Sequence, residues 1–420
     1  LHPPSSQILE YWQIFTVNID PVTKVLHVPS FGSHIMEAKL NLQALDVGLE
    51  ALMFAVYFAA VTSLTPSECQ MRFGEGKETL LARYKVAVEK ALGKSNLLTS
   101  QNIMTLQALT LYLSCLRVTD TSRMTYTLTG LAIRLARSMD LHLDDPRLNL
   151  SPFENEMRKR LWWTICSLEC RSAEEYGFHP SLGGQTFDCS LPLNVNDEDL
   201  DPDSTEPPES RPGCTSMTWA LVRFELAKII FRVWNLSSKQ DKDKSLNPRD
   251  LELEKERILD DGQRHLETQY LKYCRSSRPF DWMTATFTRL MITKLRLILH
   301  HPFNPDAVHP LPKELREKCF HTSIEILEQS SLLRNEPRIK RWIWIFLNHH
   351  QWQALSYILS ELCHRTGSEL VDRAWRIVDE TVANWDDRYD RVRQSVMWEP
   401  MNRLLIKARQ VREHDLISRQ

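Results

Sequence analysis

Apolar residues recur along most of this chain at steps of three and four, the spacing that lines one face of an α-helix. The pattern is clearest over residues 151–180, SPFENEMRKRLWWTICSLECRSAEEYGFHP, where Met157, Leu161, Ile165 and Leu168 form one stripe. Ser151, Pro152 and Glu154 predict where this helix starts, with a Ser-x-x-Glu capping box and proline at the first helical position. Glu154 stands four residues before Arg158, and Glu156 four before Arg160, so both pairs are expected to join along the helix. Trp162 and Trp163 bring two large rings into its middle.

The same spacing predicts helices over most of the remainder. A short one is expected at 8–17, followed by an irregular stretch that Pro21 and Pro29 break. The density of apolar residues over 38–62 predicts a buried helix, and 73–92 alternates charge and apolar residues at helical spacing. Leu106, Leu109, Leu113 and Leu116 mark a deep helix, and Leu128, Leu131, Leu135 and Met139 another that Pro146 ends. Further helices are expected at 217–234, 251–273 and around Phe287–Ile298, then at 312–332, 338–364, 367–389 and 395–413. In the 338–364 segment Trp342, Ile345, His349, Trp352, Leu355 and Leu359 fall on one stripe. No run of period-two alternation bounded by hairpin turns occurs. The expectation is an all-α fold, a large multi-helix domain of packed helix hairpins.

Residues 177–215 interrupt the helical pattern with repeated prolines and an acidic run, NDEDLDPD, read as a solvated loop. Residues 237–250, SSKQDKDKSLNPRD, have the composition of a linker. The expected organisation is therefore an N-terminal helical half at 1–236, a linker at 237–250 and a C-terminal helical half at 251–420.

Composition narrows the chemistry. The 420 residues can bury a large core, and the 12 glycines are too few for the phosphate-approaching turns of nucleotide-binding α/β folds. A net charge of −2 supplies no basic field to draw the chain onto DNA or anionic membranes. The longest apolar run, residues 51–61, is too short to span a bilayer, so no membrane partner is expected. The nine cysteines are dispersed and show no C-x-x-C pair, which reads as reduced thiols of an intracellular protein. The chain begins with Leu1, as a fragment of a longer protein would.

No catalytic signature assembles. Gly74-Glu-Gly76-Lys77 lacks the first glycine and the Ser/Thr of a P-loop, and neither G-x-S-x-G nor H-E-x-x-H occurs. His300/His301 and His349/His350 are adjacent pairs, which on a helix point about 100° apart rather than at one ion. Asp386-Asp387-Arg388-Tyr389-Asp390 has the D-D-x-x-D spacing of magnesium-diphosphate sites, but no second acidic motif accompanies it, and it reads as a solvated acidic turn. The basic cluster at 157–160 sits among glutamates and reads as structural ion pairing. No metal or cofactor is expected in these residues.

Taken together, certain segments resemble a known family. They are Trp12-Gln-Ile-Phe15, the stretch from Asp20-Pro-Val-Thr-Lys24 to Phe31, the apolar run from Glu50 to Ser63, and Leu106-Gln-Ala-Leu109. The strongest are Gly130-Leu-Ala-Ile-Arg-Leu-Ala-Arg137 with Leu141-His142, and Pro152-Phe-Glu-Asn-Glu-Met-Arg-Lys-Arg-Leu-Trp-Trp163. His349 to Leu359 and Asp372-Arg-Ala-Trp375 also fit. The chain resembles the regulatory middle region, or fungal-specific transcription factor domain, of fungal zinc-binuclear-cluster transcription factors. It departs from the family at Asp140, where a glycine is usual before Leu-His, at Glu169, where an aspartate is usual, and near Gly177-Phe-His-Pro180.

The resemblance implies a regulatory, effector-response domain that controls expression of fungal genes, often metabolic ones, in the nucleus. It implies DNA binding through an N-terminal six-cysteine zinc module, which these residues do not contain. Transcription machinery or co-regulators, a small-molecule effector and a second copy of the chain are the implied partners. Glu154, Glu156, Arg158, Arg160, Leu161, Trp162 and Trp163 carry the family motif. Glu169, His179, His349 and Trp352 are the candidate effector-pocket residues. The alternative is a relative without the zinc module, acting as an enzyme or sensor on a hydrophobic metabolite.

Overall fold

The computed structural model describes residues 1–119, 123–176, 180–182, 188–242, 247–300, 312–347, 349–386 and 397–418. Among them the fold is all-α, as expected, and the only β-type pairing is an isolated bridge between Leu143 and Asp188. No helix among the described residues is long and apolar enough to cross a membrane.

The helices are α1 Ser5–Asn18, α2 Val28–Ala38, α3 Val47–Ser63, α4 Pro66–Phe73, α5 Lys77–Lys94, α6 Ile103–Thr119, α7 Met124–Ser138 and α8 Pro152–Tyr176. They continue with α9 Thr218–Lys242, α10 Pro248–Gln269, α11 Pro279–Leu299, α12 Lys313–Asn335, α13 Trp352–Leu362, α14 Glu369–Asp386 and α15 Trp398–Ser418. They form two compact units. The first comprises residues 1–231, 266–274 and 340–345, and the second 232–265, 275–339 and 346–420. These units differ from the expected halves 1–236 and 251–420 chiefly in that 266–274 and 340–345 pack with the first. The stretch expected as a linker is helical through Lys242 and again from Pro248, and residues 243–246 lie outside the described residues.

In the first unit α3 is the central element. Every residue from Ala51 to Thr62 is buried, because α1, α5 and α6 pack around it. A helix buried on all sides needs no polar face, which is why this segment reads as a continuous apolar run. Tyr11 of α1 stacks on Phe73 at 4.2 Å and meets Tyr84 of α5 edge-on at 5.4 Å, closing one end of this core. α7 and α8 pack on each other and on α6. In the second unit α12 and α13 pack together beside α11, with α14 against α12 and α15 against α13.

Several boundaries differ from the sequence reading for identifiable reasons. Pro29 does not break the chain but lies in the first turn of α2, where its missing N–H costs nothing. The helix expected at 38–62 begins only at Val47, where Asp46 caps it through the amides of Gly48 and Leu49. The helix expected at 73–92 begins at Lys77, because Thr65 and Glu68 build a capping box for the separate helix α4 and Gly74 ends it at φ +70°. The single helix expected at 338–364 is two elements. Residues 337–346 form a 3₁₀ segment with Ile339 out of helical geometry, and α13 starts at Trp352. The stripe from Trp342 to Leu359 is therefore not one helical face.

Asp140 adopts a left-handed conformation, φ +57°, in the turn after α7. That is the conformation for which glycine is the usual residue, and aspartate is among the few side chains that tolerate it.

Candidate functional site: a pocket beside a buried charge network

The capping box at the start of α8 forms as its sequence predicts. The Ser151 amide donates to Glu154 at 3.0 Å, and the Glu154 amide to Ser151 Oγ at 3.1 Å. From this start the helix runs inward. Leu161, Trp162 and Trp163 are all buried, and the Trp163 indole N–H donates to the carbonyl of Ser190 at 3.0 Å. The Trp162 ring lies 5.9 Å from His142.

The charges of the motif do not behave alike. Arg160 and Glu156 pair as expected, at 3.1 Å, and both are buried. Arg158 does not pair with Glu154 but turns to the carbonyl of Met139, where burial lowers its pKa against the opposing pull of Asp140. Lys159 reaches Asp144 at 3.3 Å and Ser190 Oγ at 2.6 Å. The basic cluster is thus engaged in contacts within the protein.

The acidic run read as a solvated loop is corrected at one residue. Asp197 is 4% exposed and stands between two cations. Its Oδ1 accepts from Arg160 Nη1 at 2.7 Å and its Oδ2 from Lys24 Nζ at 2.8 Å. Lys24 also reaches Asp20, one turn earlier, at 2.7 Å. Two more contacts fix the segment: Glu156 accepts from the Leu193 amide at 3.1 Å, and Asp197 Oδ2 from the Val28 amide at 3.2 Å. Burial alone would exclude such charges, but three carboxylates and two cations in hydrogen-bond contact compensate one another.

The two aspartates are pushed in opposite directions. Burial raises Asp20 to about 6, with Lys24 opposing and the charge on Asp197 adding to the rise. Burial would also raise Asp197, but Lys24 and Arg160 outweigh it and hold that carboxyl at about 2. Of the two aspartates, Asp20 is therefore the one that protonates first as pH falls.

A pocket of about 360 Å³ lies in the first unit, lined in part by His27. Phe31 and His34 of α2, Ile103, Met104 and Gln107 of α6, Met139 after α7, and Phe153, Met157 and Arg158 of α8 supply its walls. The lining is mostly apolar, with a few polar groups spaced around it, the usual make-up of a small-molecule site. His27 connects it to the charges. Its Nε2 donates to the backbone carbonyl of Asp197 at 2.8 Å, which leaves Nδ1 to accept from Ser30 Oγ at 2.8 Å. Phe153 meets the same ring edge-on at 5.0 Å.

Of the candidate pocket residues named from sequence, Glu169, His349 and Trp352 do not line this pocket. Glu169 is buried in the first unit and accepts from the Ser181 amide at 2.7 Å, an anchor for the loop there. His349 and Trp352 belong to the second unit. His349 lies 6.0 Å from both Phe287 and Phe346, and Trp352 stacks obliquely on His350 at 5.1 Å. His179 and the acidic residues 387–390 lie outside the described residues. Lys24, His27 and Asp197 carried no assigned role in the sequence reading. The i, i+4 spacing of Asp20 and Lys24 was a usable signal, but nothing local marks Asp197 as their partner. Among the described residues no cluster of three or more His, Cys, Asp or Glu is placed to hold a metal ion.

Comparison with known proteins adds an independent observation. Residues 8–291 match the family described as the fungal specific transcription factor domain. The aurofusarin cluster transcription factor aurR2 of Gibberella zeae is 32% identical over 385 residues, which are 90% of this chain and 56% of that protein. The pyriculol/pyriculariol biosynthesis cluster transcription factor 1 of Pyricularia oryzae is 30% identical, over 90% of this chain and 51% of its own. The C6 finger domain transcription factor hasF of Aspergillus fumigatus is 29% identical, over 94% and 56% respectively. This chain therefore spans about half the length of the curated relatives it matches.

Proposed function

Because this chain belongs to the fungal-specific transcription factor domain family, we propose that it is the regulatory, effector-response domain of a factor controlling a metabolic gene cluster. The family and its relatives are named as transcription factors, not as enzymes, so the enzyme alternative is set aside. Relatives named for biosynthesis clusters support a metabolic target. A relative named for its C6 finger domain supports a zinc-bearing DNA-binding module outside these residues. On this reading the factor acts in the nucleus, contacts DNA only through that module, works with co-regulators and pairs with a second copy.

One observation carries the effector part of the reading. The pocket is walled partly by the first turns of α8, the helix that holds the family motif, and His27 links it to the Asp197 carbonyl at 2.8 Å. A ligand seated on Phe153 and Met157 would press on the helix that holds Arg160. A pocket change would then reach the buried charges through one hydrogen bond and one helix. Its size and lining suit a small apolar molecule carrying one or two acceptor groups, which Arg158, His34 and Gln107 could meet.

The reading is tested by thermal unfolding of the chain across a panel of small apolar metabolites. A ligand at about 100 times its Kd should stabilise the native state by about 2.7 kcal/mol. Met157→Glu should abolish the shift by placing a charge in the wall. If no compound raised the melting temperature, or if a shift survived that substitution, the pocket would not be the effector site. Specific binding of promoter DNA by this chain alone at physiological salt would refute the proposed division of labour.

A further inference from the structure

None of the nine cysteines is in a disulfide, and seven are buried: Cys69, Cys115, Cys166, Cys170, Cys189, Cys319 and Cys363. Burial also raises their pKa values, to about 12 at Cys189 and about 11 at Cys319, so these thiols are poor nucleophiles. Only Cys214 and Cys274 are half-buried. These two stand side by side: their sulfurs are 3.6 Å apart although 60 residues separate them in sequence. That is van der Waals contact between two sulfur atoms.

Both partners are held from their own sides, within the first unit. Asn194 clamps the segment carrying Cys214 by donating from Nδ2 to the carbonyls of Arg211 at 2.7 Å and Gly213 at 2.9 Å. Asn194 Oδ1 accepts from Thr215 Oγ1 at 2.7 Å, and Asn196 Oδ1 from the Ser216 amide at 2.9 Å. Cys274 ends the 3₁₀ turn at 271–273, its amide donating to the Leu271 carbonyl at 3.0 Å. The juxtaposition is therefore built by two anchored segments. Closing the gap to a sulfur–sulfur bond of about 2.05 Å calls for rotation about the Cα–Cβ bonds.

We propose that Cys214 and Cys274 are a peroxide-responsive thiol pair that closes to a disulfide, a modification site separate from the pocket. One thiolate attacks a hydroperoxide oxygen; the O–O bond breaks, giving a sulfenic acid and releasing water or an alcohol. The neighbouring thiol's sulfur then attacks the sulfenic sulfur, the S–O bond breaks, and the departing hydroxide takes that thiol's proton and leaves as water, the first thiol's proton having gone to the hydroxide or alkoxide released from the peroxide. The peroxide is reduced by two electrons and the pair is oxidised by two. The bond would fasten the segment after Asn194, which also carries Asp197, to the turn at 271–273.

The test uses the full 420-residue chain, purified reduced and treated with hydrogen peroxide, then alkylated and mapped by peptide mass spectrometry. The expected result is loss of two of the nine alkylatable thiols and one cross-linked peptide joining Cys214 to Cys274, both reversed by dithiothreitol. Cys214→Ser should leave no internal cross-link and should let Cys274 be trapped as a sulfenic acid by dimedone. Retention of all nine thiols, a link between other cysteines, or a link only between chains would overturn the proposal. The peptide map of the unsubstituted chain separates these outcomes even if the serine variant does not fold.

Discussion

Arg160 is the residue on which the charge network depends most. Arg160→Met keeps the length and apolar stem of the side chain but removes the guanidinium. Two charge-assisted hydrogen bonds go with it, to Glu156 at 3.1 Å and to Asp197 at 2.7 Å. At about 1.5–3 kcal/mol for each bond to a charged group, the direct loss is about 3–6 kcal/mol. Removing one partner of a buried ion pair independently suggests about 3–5 kcal/mol, since three carboxylates would then face Lys24 alone. We expect a loss of about 4 kcal/mol in urea unfolding at pH 7, a large part of a typical domain's stability.

The pH dependence separates lost charge from lost packing. Asp197 is held at about 2 by Lys24 and Arg160 against burial, so without Arg160 its folded-state pKa rises. As pH falls through that raised pKa, the variant's native state takes up a proton that the parent's does not, so the variant regains stability relative to the parent. The deficit should shrink accordingly. A cost below about 1 kcal/mol, or a deficit that does not change with pH, would refute the account of Arg160 as an electrostatic keystone.

Three further outcomes are expected. Asp20 titrates near 6 when folded, raised mainly by burial from 3.8, so its ionisation costs stability above pH 6 and the cost disappears as pH falls towards 4; Asp20→Asn should flatten that part of a stability–pH curve. Trp162→Ala removes a ring that is 2% exposed and should cost about 3–5 kcal/mol by thermal unfolding, whereas an unchanged melting temperature would show that α8 is not central to the fold. Ser151→Ala deletes the acceptor of the Glu154 amide, 3.1 Å away, and should cost about 1 kcal/mol in the same assay.

The sequence by itself determined whatever depends on near neighbours. Helical periodicity, the capping box of Ser151 and Glu154, and the pairing of Glu156 with Arg160 all involve residues three or four apart, which the helix brings within reach, although Glu154 and Arg158 share that spacing and do not pair. The family motif was legible for the same reason, being one continuous stretch. Tertiary structure alone decided which charges lose their water. Asp197 reads as one acid in an acidic run, but it faces Lys24 across 173 residues of sequence, accepts from the Val28 amide and is buried. The same holds for the pocket, whose walls come from α2, α6 and α8, and for Cys214 beside Cys274. Local pattern fixes how a segment coils and which face is apolar. Only the mutual burial of distant segments sets the dielectric around a charge and the neighbours of a thiol, and at these positions that burial produces the chemistry.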